Sequence, residues 1–229
     1  MSLPLVFLPG MMCDDRLFGP QLSALGGEVL NFGRHEDMIG DMASRVLHDA
    51  PDRFALVGLS MGGIVAMEMI RQAPQRIDRV ALLDTNPLPE ADAVKTRRAS
   101  QIAQVRAGRL AEVIRDEMKP NYLGDTPARQ ALLDLCMDMA LSLGPEIFVN
   151  QSVALRDRID QTGTLRGYDR PALVLCGRED QLCPVARHEL MHGLLPNSTL
   201  TIIDGAGHLP TLERPVETTA ALRRWLERS

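Results

Sequence analysis

Ser60 stands in Gly58-Leu59-Ser60-Met61-Gly62, a G-x-S-x-G pattern set between an apolar run and a helical pattern. A strand that turns sharply into a helix crowds the serine backbone, and glycines at 58 and 62 leave room for that turn. The start of the helix adds positive potential where an oxyanion would form. A serine hydroxyl is a poor nucleophile without a base. Of five histidines, His208 is the candidate: it follows the last apolar run, in Asp204-Gly-Ala-Gly-His208-Leu-Pro. A loop at the carboxyl end of one strand can reach a site at the ends of its neighbours. His35 and His48 read as solvated.

The base needs an acid to orient it. Asp180, in Cys176-Gly-Arg-Glu-Asp180-Gln-Leu-Cys-Pro184, follows the fifth apolar run. Asp84 is its rival, ending the fourth run in Leu82-Leu83-Asp84-Thr85. Asp180 has the better motif, because a Gly177 turn precedes it and Pro184 opens the next helix. Asp84 reads as a brace for the loop that follows it. Ser60, Asp180 and His208 therefore make a candidate triad for acyl transfer. The bland alternatives are a Gly-rich turn, a loop histidine and a loop-capping aspartate.

A second motif competes. His188-Glu189-Leu-Met-His192 matches H-E-x-x-H, a zinc-hydrolase signature. Projected at about 100° per residue, Leu190, Met191, Leu194 and Leu195 form an apolar arc. Glu189 and His192 lie opposite it and His188 at its edge, so the pair is expected to face solvent. A catalytic zinc needs ligands in a cleft with one open position.

The elements that must position these residues form an alternating series. Short apolar runs occur at residues 3–8, 28–32, 54–59, 80–83, 172–176 and 200–203, most of them continuous, the pattern of parallel strands buried on both faces. The 28–32 run is the weakest. Ile39, Met42, Ala43, Val46, Leu47 and Ala50 share one helical stripe that ends before Pro51. A helix over 64–72 stops before Pro74, and Pro215 opens a C-terminal helix carrying Leu222, Trp225 and Leu226. Strands alternating with helices predict an α/β protein: a mostly parallel sheet covered on both faces. Residues 87–167 break the rhythm and contain no good strand. They read as helices over about 90–106, 110–118, 127–143 and 145–158, punctuated by Gly108, Pro120, Gly124 and Gly144. The expected organisation is a core of 1–86 and 168–229 with a helical cap, a lid, over 87–167.

The sequences GLSMGG, GREDQLCP and GAGHLPTLERP together resemble the α/β-hydrolases, from LPLVFLPG to RRWLERS. The chain is most similar to small carboxylesterase-like and enol-lactonase-like members, including the pimeloyl-carrier methyl esterase type. The resemblance implies an α/β-hydrolase fold of about six strands lacking the N-terminal hairpin. It implies an oxyanion hole formed by the backbone N–H groups of Met11 and Met61. Many relatives carry His-Gly where this chain has Pro9-Gly10.

Composition narrows the partners. The chain has 229 residues, 45% hydrophobic and 24% charged, enough for a sizeable core. The net charge of −5 with scattered Lys and Arg argues against nucleic acid and anionic membranes. Residues 1–10 lack a basic n-region, and no apolar stretch is long enough to span a bilayer. Cys13, Cys136, Cys176 and Cys183 show no C-x-x-C spacing and read as reduced thiols. A cytoplasmic protein is expected, a monomer or homodimer acting on a small ester-like substrate. No cofactor or metal is required by the triad. The reading is a serine hydrolase cleaving the ester of a small or medium apolar acyl group. The same triad would also serve a lactone, a thioester or a C–C bond. A zinc hydrolase and a non-catalytic ligand-binding protein are the alternatives from other classes.

Overall fold

A computed structural model describes residues 3–228; Met1, Ser2 and Ser229, which fall within the sequence stretches read above, lie outside the described residues. Six strands are β1 (Leu5–Leu8), β2 (Glu28–Val29), β3 (Phe54–Leu59), β4 (Ile77–Leu83), β5 (Ala172–Gly177) and β6 (Ser198–Ile203). They form one sheet in the order β2-β1-β3-β4-β5-β6, and every pairing is parallel. The weakest apolar run became a two-residue edge strand, half exposed, with only two partners on β1. Its polar Glu28 and Asn31 leave little to bury.

The helices in chain order are α1 (Gly19–Leu25), α2 (Ile39–Asp49), α3 (Met61–Gln72), α4 (Asp92–Arg106), α5 (Leu110–Glu112), α6 (Arg129–Arg156), α7 (Thr162–Arg166), α8 (Val185–Leu194), α9 (Pro210–Glu213) and α10 (Pro215–Glu227). The short α1 and α7 carry no strong stripe, and sequence pattern did not separate them from loops.

Strand residues alternate between two apolar clusters, which is what a sheet covered on both faces requires. On one face Val6, Leu56, Leu82 and Val174 pack with Met42 and Val46 of α2, Val65 and Met69 of α3 and Met191 of α8. On the other, Phe7, Val57, Leu83 and Leu175 pack with Leu17 and Phe18 and with Leu222 and Trp225 of α10. The α2 stripe buries Ile39, Met42, Ala43, Val46 and Leu47 as its spacing dictates.

Helices α4 to α7 lie between β4 and β5, where no strand pattern occurred. Helix α6 breaks at Gly144, whose φ of 83° and ψ of 176° are non-helical, with Pro145 opening the second half. After α5 the winding loosens to wider π turns over Val113–Met118. Among the described residues, no helix is long and apolar enough to cross a membrane.

Candidate active site

All of the site residues lie at the carboxyl ends of the parallel strands, the end where open α/β sheets gather chemistry. Three non-glycine residues there adopt positive φ: Met12 (57°) after β1, Ser60 (54°) after β3 and Asp84 (44°) after β4. They are the only such residues among those described, and strain of this kind persists only where surroundings over-determine it.

Ser60 joins β3 directly to α3. Its N–H continues the sheet by donating to Leu83 O at 2.9 Å, while its own carbonyl accepts from Gly63 N, Ile64 N and Thr85 Oγ1. A side chain at Gly58 would collide with the Gly62 carbonyl, and one at Gly62 with Leu8 O. Both glycines are therefore dictated by the turn.

Ser60 Oγ lies 2.9 Å from His208 Nε2, and His208 Nδ1 lies 2.8 Å from Asp180 Oδ2. The second oxygen of Asp180, Oδ1, accepts from Leu182 N at 2.8 Å and Cys183 N at 3.0 Å. Asp180 and His208 are both buried. Burial works against the Asp180 charge, but His208 and the two backbone donors outweigh it and hold the carboxyl below its usual range. The contacts fix His208 with Nδ1 toward the acid and Nε2 toward the hydroxyl, the orientation proton transfer needs.

The loop after β1 closes the site from the other side. A Cβ added at Gly10 would meet Ser60 Cβ at 3.5 Å, so that backbone passes directly over the serine. Met11 lines the same cavity as Ser60, and Met61 follows the serine. Neither of their N–H groups bonds to a protein acceptor among the described residues. The next N–H, that of Met12, donates to Gln151 Oε1 at 2.9 Å. Gln151 thus anchors the loop in its strained form from the second half of α6.

The cavity, about 120 Å³, is walled by Leu59, Met118, Tyr122, Leu155, Leu182 and Leu209 with Ser60 and His208. Its polar lining comes from Arg97, Arg98, Gln101, Glu117 and Asn121. Arg98 donates to Glu90 Oε2 at 2.7 Å, and Arg158 reaches the same oxygen at 2.9 Å. Glu117 and Met118 of this lining come from the π turns.

Two contributions carried no clear sequence signal. Glu213 accepts from the N–H groups on both sides of the histidine, Gly207 at 3.0 Å and Leu209 at 3.0 Å, and from Gly124 at 2.8 Å. Burial still raises its pKa against those three donors. The His208 N–H donates to Tyr122 O at 2.8 Å. Glu213 sits within GAGHLPTLERP, and a carboxylate five residues past a loop histidine was the available clue.

The H-E-x-x-H motif does not assemble. His188 is fully buried rather than turned to solvent: its Nε2 accepts from Thr85 N at 3.1 Å, at the end of β4. A residue at the edge of an apolar arc can roll inward when a backbone donor awaits it. Burial lowers its pKa to about 4 and keeps it neutral. Glu189 and His192 are exposed, and His192 Nδ1 lies 2.8 Å from Ser198 Oγ. The one group of three His, Cys, Asp or Glu with mutually close ligand atoms, among the described residues, is Asp180, Cys183 and His208. Two of its members are already committed to each other. All four cysteines are free, and burial pushes the Cys13 thiol well up.

An alpha/beta hydrolase family model matches residues 5–222. The chain belongs to the alpha/beta hydrolase family. Among relatives of this hydrolase, the biotin biosynthesis bifunctional protein BioHC of Teredinibacter turnerae is 26% identical over 97% of the chain. The chain spans 44% of that protein's length. The pimeloyl-[acyl-carrier protein] methyl ester esterase of Salmonella newport is 26% identical over 80% of the chain and 73% of its own length. The structure of a thermophilic esterase from Thermogutta terrifontis, with malate bound, superposes with a TM-score of 0.89 at 28% identity. That match covers 99% of this hydrolase and 90% of the esterase.

Proposed function

We propose that this hydrolase cleaves a carboxylic ester through an acyl-enzyme on Ser60. The observation that carries the reading is the unbroken contact series Ser60 Oγ, His208 Nε2, His208 Nδ1, Asp180 Oδ2, opening on a cavity with Leu, Met and Tyr walls and a polar side. Ser60 Oγ attacks the acyl carbon while His208 Nε2 takes its proton. The tetrahedral oxyanion is held by the N–H groups of Met11 and Met61. His208 returns the proton to the leaving alcohol, and Asp180 stabilises the imidazolium between the two transfers. Water then repeats the sequence and frees the acid.

The relatives named as esterases support an ester over a C–C bond. The substrate is a small-molecule ester whose acyl group is small or medium and mainly apolar, matched to the Leu, Met and Tyr walls. No step calls on a cofactor. The test is covalent labelling by a fluorophosphonate, with parallel turnover of short p-nitrophenyl, lactone and thioester substrates. Labelling that is lost in Ser60→Ala, with esters turned over fastest, supports the reading. Unlabelled protein with chelator-sensitive activity would overturn it.

A further inference from the structure

Asp84 is fully buried, yet its carboxyl is only half satisfied. Oδ1 accepts from Gly177 N at 2.9 Å, and Oδ2 is enclosed with no hydrogen-bond partner among the described residues. Its φ of 44° is one that few aspartates adopt, so the strained backbone is kept for where it sends this side chain. Gly177 ties the two acids together: its N–H serves Asp84, and its carbonyl accepts the Asp180 N–H at 3.4 Å. The side chain that pairs with the Asp84 carboxyl within hydrogen-bonding range is that of Asp180, another acceptor. Two buried acceptors can bond only if one carries a proton.

Asp180 cannot be that one. Its two oxygens already receive His208 Nδ1 and the N–H groups of Leu182 and Cys183, all of which favour the charged form. We propose that Asp84 is a neutral carboxylic acid that donates its hydrogen to Asp180, a positioning residue extending the contact series to Ser60, His208, Asp180 and Asp84. The surroundings of Asp84 agree. Burial and the Asp180 charge raise it, Glu213 adds to the effect, and the Gly177 N–H opposes it only in part. The remaining titratable neighbours, Cys176 and Cys183, are thiols pushed up by burial and so uncharged. His188, which accepts the Thr85 N–H next door, is neutral as well. Among the described residues, no Lys or Arg is one of the groups that act most strongly on the Asp84 carboxyl.

The proposal rests on the triad reading above, and one arm of its test needs no turnover. Asp84→Asn is isosteric with the neutral acid: its carbonyl accepts from Gly177, and its amide N–H donates to Asp180. Asp84→Ala removes the donor. Asp84→Asn should keep wild-type kcat and an unchanged acid limb in the pH–rate profile. Asp84→Ala should lose about 10- to 100-fold in kcat with KM held, the worth of one hydrogen bond to a charged group. Its acid limb should move to higher pH, because Asp180 then spends more of its charge on the imidazolium.

Infrared difference spectra of wild type minus Asp84→Asn at pH 7 should show a protonated carboxyl C=O band. This arm decides the matter even if Asp84→Ala does not fold or no ester is found to turn over. Asp84→Asn as inactive as Asp84→Ala would mean the residue is ionised, and the proposal falls. An Asp84→Ala variant with native kcat and pH profile would make it a brace only, and the absence of the carboxyl band would exclude the neutral acid.

Discussion

The backbone N–H of His208 donates to the carbonyl of Tyr122 at 2.8 Å, so the loop carrying the base is tied to a segment between β4 and β5. Glu213 doubles the tie by bridging Gly207 and Leu209 to Gly124. Arg129 completes it by donating to Gly124 O at 2.8 Å. Tyr122 and Gly124, within residues 87–167, are thus fastened to the loop that carries His208. Glu213→Gln would set an amide NH2 against backbone donors. Stability should fall by about 1–3 kcal/mol, since buried donors lose their acceptor. Amide exchange at Gly124 and Gly207 should quicken, and kcat should drop as His208 loses its fixed position. Unchanged exchange at both glycines would show that the bridge is not what holds the loop.

Ser60→Ala should abolish the burst of acylation and leave only the weak hydrolysis that an oxyanion hole supports alone. Rapid-quench measurement with a p-nitrophenyl ester separates burst from steady state. A variant with its burst intact would move the nucleophile elsewhere.

His188 gives this hydrolase a calculable weakness to acid. In the fold it stays neutral down to about pH 4, whereas in the unfolded chain it takes up a proton near ~6.5. Its contribution is therefore fully present above pH 6.5 and is lost as pH falls toward 4, by about 3 kcal/mol in all. Asp180, whose folded pKa is lowered, adds a further loss at lower pH still. His188→Gln keeps an acceptor for the Thr85 N–H but does not titrate in this range. Denaturant midpoints measured from pH 4 to 7 should slope less in the variant than in the wild type. Equal slopes would mean that His188 is not the group responsible.

How much of this was legible depended on how far each signal reaches along the chain. The four central strands β1, β3, β4 and β5 announced themselves as continuous apolar runs because both their faces are buried, whereas the edge strands β2 and β6 are part-exposed and gave weaker signals; the elbow needed Gly58 and Gly62 for local steric reasons. Ser60, Asp180 and His208 could be picked out because each lies in a short stretch bounded by glycine or proline after a strand. What was hidden acts at long range or through the backbone. Gln151 reaches Met12 across 139 residues, and nothing near Gln151 in sequence marks it. Tyr122 contributes a carbonyl, which every residue type possesses. His188 was misplaced because helical periodicity gives an arc but not the neighbour beyond it. Here that neighbour is the Thr85 N–H at the end of β4.

The separation of roles between the two buried aspartates yields the sharpest test of the triad. Asp180 meets the imidazole directly at 2.8 Å and is held ionised by it and by Leu182 and Cys183. Replacing it with Asn presents either a carbonyl oxygen that is a weaker partner or an N–H that forces His208 into the wrong tautomer. In the second case Nε2 carries the hydrogen and cannot accept one from Ser60. Asp180→Asn should therefore lose about 10⁴ in kcat while KM and the fold are retained. The measurement is kcat against pH with circular dichroism on the same preparation. The loss should persist at high pH, because deprotonating the imidazolium does not restore the tautomer. An Asp180→Asn enzyme within tenfold of wild type, beside an Asp84→Asn enzyme that is dead, would transfer the orienting role to Asp84 and leave Ser60 and His208 where they stand.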